Sequence, residues 1–235
     1  MTEHFPILQV ALPLIAAPVI VLVRNSALAW LITVLAAGGT LAIAATLLLT
    51  TANGEVISYA IGSWPPPWGI EYRIDAANAF ILLLVSAIGF VVALYGKRSI
   101  EAEIPREQHY LFYTMYVLCL TGLLGMAATG DAFNIFVFME ISSLSMYVLI
   151  AFGRDRRALM SSYQYLIMGT IGATFFVIGV GLLYLLTGTL NLADIAERLP
   201  HDVQPRSELA ALAFITVGLS LKLALLPLHV WLPNA

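Results

Sequence analysis

A carboxylate and an ammonium stand where charge is expensive: Glu140 in the otherwise apolar run 132–152, and Lys222 in the run 208–232. A lone ionised side chain in the middle of a hydrocarbon layer costs at least ~2.5–3.5 kcal/mol, so such residues face partners or water and mark ion or substrate pathways. An acid and a base in one membrane layer point to proton transfer. On a helix, Glu140 shares a stripe with Phe133, Phe136, Val137, Ser143, Leu144 and Tyr147. Ser143 and Tyr147 are its supporting candidates, able to hydrogen-bond the carboxyl or to hold a water beside it. Lys222 shares a face with Gly218, Leu219, Leu225, Leu226 and His229, and the His229 imidazole is a natural relay toward the end of the run. Pro227 lacks the N–H that would bond the Leu223 carbonyl, so a helix running through 208–232 leaves a free carbonyl beside Lys222. Interrupted helices at membrane depth line cavities and ion sites. Brought together, Glu140 and Lys222 each favour charge on the other while burial opposes charge on both, and such groups titrate jointly.

The elements that must position them are membrane helices. The chain is 60% hydrophobic and 11% charged over 235 residues, far too apolar for a water-soluble globule. Its apolar residues fall into seven runs near the ~20-residue spanning length, at 7–23, 27–50, 78–96, 110–128, 132–152, 160–187 and 208–232. The expected fold is all-α, a polytopic transmembrane bundle of about seven spans. Residues 1–109 form an N-terminal group of three spans, and 110–235 a group of four. Glu3 and His4, rather than a basic stretch, precede the first run, which predicts a retained first helix instead of a cleaved signal.

Charge placement orients the bundle. Arg24, Lys97, Arg98, Arg106, Arg154, Arg156 and Arg157 fall on one set of alternate connections, and Arg73, Arg198 and Arg206 on the other. The excess of Lys and Arg belongs on the cytoplasmic side, which puts the N-terminus outside. The connection 51–77 carries an Asn53-Gly54 turn signal and an alternation of Ile70, Tyr72 and Ile74 with Glu71, Arg73 and Asp75. It predicts a short extracytoplasmic β-hairpin between the second and third spans, with Trp64 and Trp68 at the interface and Pro65, Pro66 and Pro67 in the bend. Small residues predict packing seams: Gly169 with Ala173, Gly172 with Gly179, and Thr114 and Thr121 with Gly125. The polar connection 191–207 predicts a turn of amphipathic helix at 192–199 closed by Pro200, with Asp202 and His201 exposed in the loop.

Several chemistries are excluded. Cys119, the single cysteine, can form no intrachain disulfide or thiol pair and reads as a small packed hydrophobe. There is no paired-cysteine spacing, phosphate loop or haem pattern, and Gly179-Val180-Gly181 lacks the strand that a dinucleotide fingerprint needs. No cofactor, metal or nucleic acid is expected; the chain should carry ions, not electrons.

Three segments carry a family resemblance: Thr129-Gly130-Asp131-Ala132-Phe133-Asn134-Ile135-Phe136-Val137-Phe138-Met139-Glu140, then Gly188-Thr189-Leu190-Asn191-Leu192-Ala193, then Leu221-Lys222 with Pro227-Leu228-His229-Val230-Trp231-Leu232-Pro233. The chain resembles the antiporter-like proton-translocating membrane subunits shared by Mrp-type cation/proton antiporters, respiratory complex I and membrane-bound hydrogenases, and its wording is most similar to the D-type member of the Mrp group. The resemblance implies a proton channel whose coupling pair is Glu140 and Lys222, in a bundle of about fourteen spans with two inverted repeats and an interrupted seventh helix. It implies other membrane subunits of a heteromeric complex as partners, the lipid bilayer of a bacterial cell membrane as setting, and protons and monovalent cations as cargo. The implied activity is sodium/proton antiport. The alternative is a proton-pumping subunit of an NADH:quinone oxidoreductase or a membrane-bound hydrogenase. Against that pattern the sequence stops at Ala235, where the family continues, so a fragment or truncated product is expected, with the first repeat incomplete; a scaffold role without transport is the third reading.

Overall fold

A computed structural model describes residues 2–153, 156–199, 206–229 and 231–234. Arg154, Pro200, His201 and Asp202 lie outside the described residues. Helices α1 (Phe5–Val23), α2 (Ser26–Thr51), α3 (Ala76–Tyr95), α4 (Lys97–Glu103), α5 (His109–Ala128), α6 (Ala132–Ala151), α7 (Arg156–Thr187), α8 (Leu192–Arg198) and α9 (Arg206–Lys222) account for most of the chain. Strands β1 (Ile57–Ala60) and β2 (Glu71–Ile74) pair antiparallel, Tyr59 opposite Tyr72. Asparagine or aspartate starts four of the helices by accepting otherwise orphaned N–H groups: Asn25 on α2, Asp75 on α3, Asp131 on α6 and Asn191 on α8.

Six helices are long and apolar enough to cross a membrane: α1, α2, α3, α5 with the turn before it, α6 and α7. Large apolar side chains such as Leu22, Leu35, Val91 and Leu185 stand on their outer faces, as lipid-facing residues do. α1, α2, α3 and α5 gather around one core containing Leu82, Leu120 and Leu124; α6, α7 and α9 gather around a second containing Met139, Phe176 and Val180; and α5 joins the two by lying along α6.

Hydrocarbon gives packed helices no hydrophobic drive, so close backbone approach and interhelical polar contacts hold them. A Cβ on Gly125 would lie 2.3 Å from the Phe138 ring of α6, and one on Gly172 would lie 3.0 Å from Leu221 Cβ of α9. The expected seams are therefore present. One polar contact has no signature in the sequence pattern: the fully buried Gln9 of α1 donates to Ser86 of α3 at 3.1 Å.

Three expectations need correcting. The seventh run is not one helix through 208–232: α9 ends at Lys222. Leu225 N–H returns to the Ser220 carbonyl (3.0 Å) and Ala224 N–H to that of Leu221 (3.3 Å), a Schellman closure with Ala224 left-handed at φ 52°. Pro227 consequently frees no helical carbonyl beside Lys222, because the helix has stopped five residues earlier, and Leu225, Leu226 and His229 do not continue the Lys222 face. Glycine carries the left-handed conformation without the ~1–2 kcal/mol penalty that a Cβ incurs, so Ala224→Gly is expected to raise the melting temperature of the detergent-solubilised protein. Residues 97–103, expected as plain connection, form the short helix α4 with Lys97 Nζ 4.1 Å from the Trp30 ring centre. Finally, the hairpin alternation breaks at Glu71, which is as buried as Tyr72.

Candidate functional site

Glu140 lies nine residues into α6 and Lys222 is the last residue of α9, and the fold brings them together. Lys222 Nζ is 3.6 Å from Glu140 Oε1 and donates to Ser143 Oγ at 2.5 Å. Ser143, one turn on from Glu140, donates in its turn to the Met139 carbonyl (2.7 Å). The hydroxyl thus spends its proton on its own helix and offers its lone pair to the ammonium. Glu140 Oε1 is buried and has no hydrogen-bond partner, so the pair sits at ion-pair distance without a direct hydrogen bond. The negative end of the α9 dipole lies beside the ammonium and favours its charge.

α7 forms the wall behind the pair. A Cβ on Gly169 would overlap the Tyr147 hydroxyl, which is how the Tyr147 ring reaches α7. Tyr147 meets Tyr165 edge-on at 4.7 Å, Tyr165 stacks on Trp231 at 4.0 Å, and Trp231 Nε1 donates to the Leu221 carbonyl at 3.0 Å. This aromatic chain pins the segment after α9 back onto α6 and α7, next to Lys222. The Tyr147 hydroxyl is buried without a partner. Pro227 follows a cis peptide bond in that segment. His229 lies there too, its Nδ1 buried and unpartnered, and neither an ion pair nor a hydrogen bond to Lys222 is found among the described residues. Glu140, Ser143, Lys222 and Tyr147 therefore form one cluster, with Pro227 and His229 on the turn beyond it.

The stripe that shares a helix face with Glu140 divides. Ser143 and Tyr147 face inward, whereas Phe133, Val137 and Leu144 are exposed and leave the Glu140 side chain 25% accessible. Glu140 is the more accessible member of the pair, and Lys222, 11% accessible, the less accessible. Tyr165 and Trp231 are neighbours of the pair that sequence spacing does not reveal, since nothing in it joins α7 to the segment after α9. Among the described residues no group of three or more His, Cys, Asp or Glu is placed to hold a metal.

At the hairpin end, two of the motif segments serve a different purpose. Residues 129–131 and 189–191 are laid alongside β2, with bridges from Tyr72 to Thr129 and from Asp131 to Asn191. Gly130 N–H bonds the Glu71 carbonyl (2.9 Å), Ala132 N–H bonds Leu190 O (2.8 Å) and Leu192 N–H bonds Gly130 O (2.9 Å).

Residues 128–235 match the family model described as NADH:quinone oxidoreductase/Mrp antiporter, TM. The whole chain is 46% identical to the N-type member of the NADH-quinone oxidoreductase of Desulforudis audaxviator (strain MP104C), covering 47% of that protein. Over 99% of its length it is 30% identical to the D-type member of the Na(+)/H(+) antiporter of Bacillus subtilis (strain 168), covering 47% of that protein. Among solved structures, 97% of the chain superposes on 47% of a chain of the membrane-bound sulfane sulfur reductase, an archaeal respiratory membrane complex, with a TM-score of 0.89 and 34% identity. The chain spans about half the length of the curated relatives it matches.

Proposed function

Because residues 128–235 belong to the NADH:quinone oxidoreductase/Mrp antiporter membrane family, we propose that this multi-pass membrane chain forms proton-translocating machinery of a multisubunit sodium/proton antiporter, with Glu140 and Lys222 as its transfer pair. The observation that carries the reading is the partly buried ion pair at 3.6 Å with Ser143 holding Nζ. A proton arriving at Glu140 removes the charge that faces Lys222. The ammonium, left without its counter-ion in a medium of low dielectric, releases a proton onward. Transfer from the Glu140 carboxyl to the neutral amine then restores both charges, so each cycle takes in one proton and gives out one. His229, on the turn beyond α9, is the proposed onward acceptor. Other membrane subunits and the surrounding lipid are its proposed partners, a bacterial cell membrane its location, and the distribution of Lys and Arg supports an N-terminus outside.

A second reading has its own support: the likeness to an NADH-quinone oxidoreductase sequence and to a chain of a respiratory membrane complex favours the same machinery driven by electron transfer in neighbouring subunits. Two measurements on the full-length protein in its native membrane decide. Everted vesicles that acidify or alkalinise on a sodium pulse without any reductant support antiport. Co-purification with iron–sulfur proteins, and proton uptake only on addition of a reductant, supports the redox-driven complex.

Ser143 provides a graded test. Ser143→Ala removes the acceptor for Nζ and leaves Glu140 to hold the ammonium alone, and is expected to slow transport about tenfold, the range of one hydrogen bond to a charged group. Ser143→Thr keeps the hydroxyl and is expected to retain most of the rate.

A further inference from the structure

The cluster around Glu71 lies apart from the transfer pair, yet it links the helix that supplies Glu140 to α7, on which the helix of Lys222 is packed. Glu71 is 5% exposed. Its Oε1 accepts from Ser58 of β1 (2.5 Å) and its Oε2 from Asn191 Nδ2 (2.9 Å), a contact across 120 residues of chain, while its carbonyl accepts from Gly130. From Gly130 the chain enters α6 through the Asp131 cap, which accepts from Asn134 N–H at 2.7 Å, and Glu140 follows nine residues after that cap. From Asn191 the chain runs back four residues to the end of α7. α7 carries α9 rigidly: Cβ atoms on Gly172 or Gly179 would run into the α9 backbone at 3.1 and 2.8 Å.

We infer that Glu71 is a positioning residue, which registers the helix bearing Glu140 against the helix pair bearing Lys222, its main-chain carbonyl holding Gly130 on one side and its carboxylate holding Asn191 on the other. The inference rests on the proposed transfer pair. Its physical basis is leverage: a 3.6 Å charge gap between two different helices is altered by any slide of α6 along α7, and at the hairpin ends of both helices Glu71 braces the direct main-chain bonds of Ala132 to Leu190 and of Leu192 to Gly130. A carboxylate suits the place because it accepts from two donors on two segments at once, and burial makes each of those bonds costly to lose. The hairpin itself survives loss of the tether, since β1 and β2 are paired over four residues and Tyr72 bridges Thr129 independently.

The test reverses the polarity of one hydrogen bond in the full-length protein within its native complex. Asn191→Asp keeps the α8 cap, because aspartate accepts from Ala193 and Asp194 N–H as asparagine does. It also removes the N–H that the Glu71 carboxylate accepts and places a second carboxylate there. Adding Glu71→Gln restores the contact with the amide now donated from residue 71. Two readouts are taken per assembled complex: the pH profile and rate of sodium-driven proton flux, and the rate of disulfide formation between Met139→Cys on α6 and Ala173→Cys on α7, two positions in one core cluster, in a Cys119→Ser background. Asn191→Asp is expected to shift the pH profile and to slow both rates about tenfold, less than the ~100-fold that a ~1 Å misplacement of reacting groups can cost, and the double variant to bring them back. The inference is overturned if Asn191→Asp lowers only the amount of assembled protein, if flux changes while disulfide formation does not, or if the double variant fails to recover. Should the parent protein show no proton flux while disulfide formation follows the expected pattern, the proposed function falls and the positioning role stands.

Discussion

Lys222→Ala and Glu140→Ala, each made in the full-length protein and assayed in everted vesicles, are expected to lower sodium-driven proton flux at least ~100-fold, the lower range for loss of a positioned proton-transfer group. The two losses differ in kind. Without Lys222, Glu140 keeps no ion-pair partner among the described residues. Without Glu140, the ammonium retains only Ser143, and a buried charge stripped of its partner is destabilising by up to ~3–5 kcal/mol. The double variant Glu140→Ala/Lys222→Ala is consequently expected to be inactive, yet to reach the membrane in larger amounts than Glu140→Ala. Coupling of that sign is what a double-mutant cycle reads for a buried pair. Full flux in both single variants would remove the pair from the mechanism.

Gly218→Ala is expected to be strongly destabilising for so small a substitution. A Cβ at 218 would stand 2.6 Å from the Gly172 carbonyl oxygen and 2.7 Å from the Phe176 amide nitrogen, both main-chain atoms of α7 that no rotamer change can move. α9 must back away from α7, and with it Lys222 from Glu140. Overpacking of this kind costs about 1–3 kcal/mol, and lower amounts of assembled protein together with a fall in melting temperature are the expected readings. Gly181→Ala is the control, because a Cβ there meets nothing within 4 Å. In that variant alanine's better helix propensity is the only effect, and no loss is expected. Equal behaviour of the two variants would show that the α7–α9 seam is looser than its geometry.

Both results bear on where α9 ends. The pattern of apolar residues continues smoothly through 208–232, and hydropathy carries no information about where a backbone turns, so a full-length seventh helix follows from it. What stops the helix at Lys222 is the left-handed residue Ala224, a position that glycine marks in most helices and that alanine conceals. The hairpin is legible because turn residues and period-two alternation are local signals. Glu71 is not: it alternates out of the apolar register and looks solvated until Asn191 arrives from 120 residues away. The segment Thr129-Gly130-Asp131, a mark of kinship around the chemistry, turns out to be a strap at the hairpin end, and Glu140 is the only residue of its segment that touches Lys222 through an ion pair.

By itself, then, the sequence determined the class of the molecule and the identity of its chemical groups. The membrane assignment follows from run length and composition, the two charges are conspicuous because hydrocarbon makes them so, and the hydroxyl at 143 lies on the Glu140 stripe by helical periodicity alone. Only the tertiary structure decided distances: that Lys222 reaches Glu140 and Ser143, that Tyr147, Tyr165 and Trp231 close over the break after α9, and that the buried Glu71 meets both Gly130 and Asn191. The division has a physical cause. Partition into a membrane and helical periodicity act over one turn or one run and are written locally, whereas an ion pair, a ring stack or a tether depends on where glycines let two helices meet, which no single segment encodes.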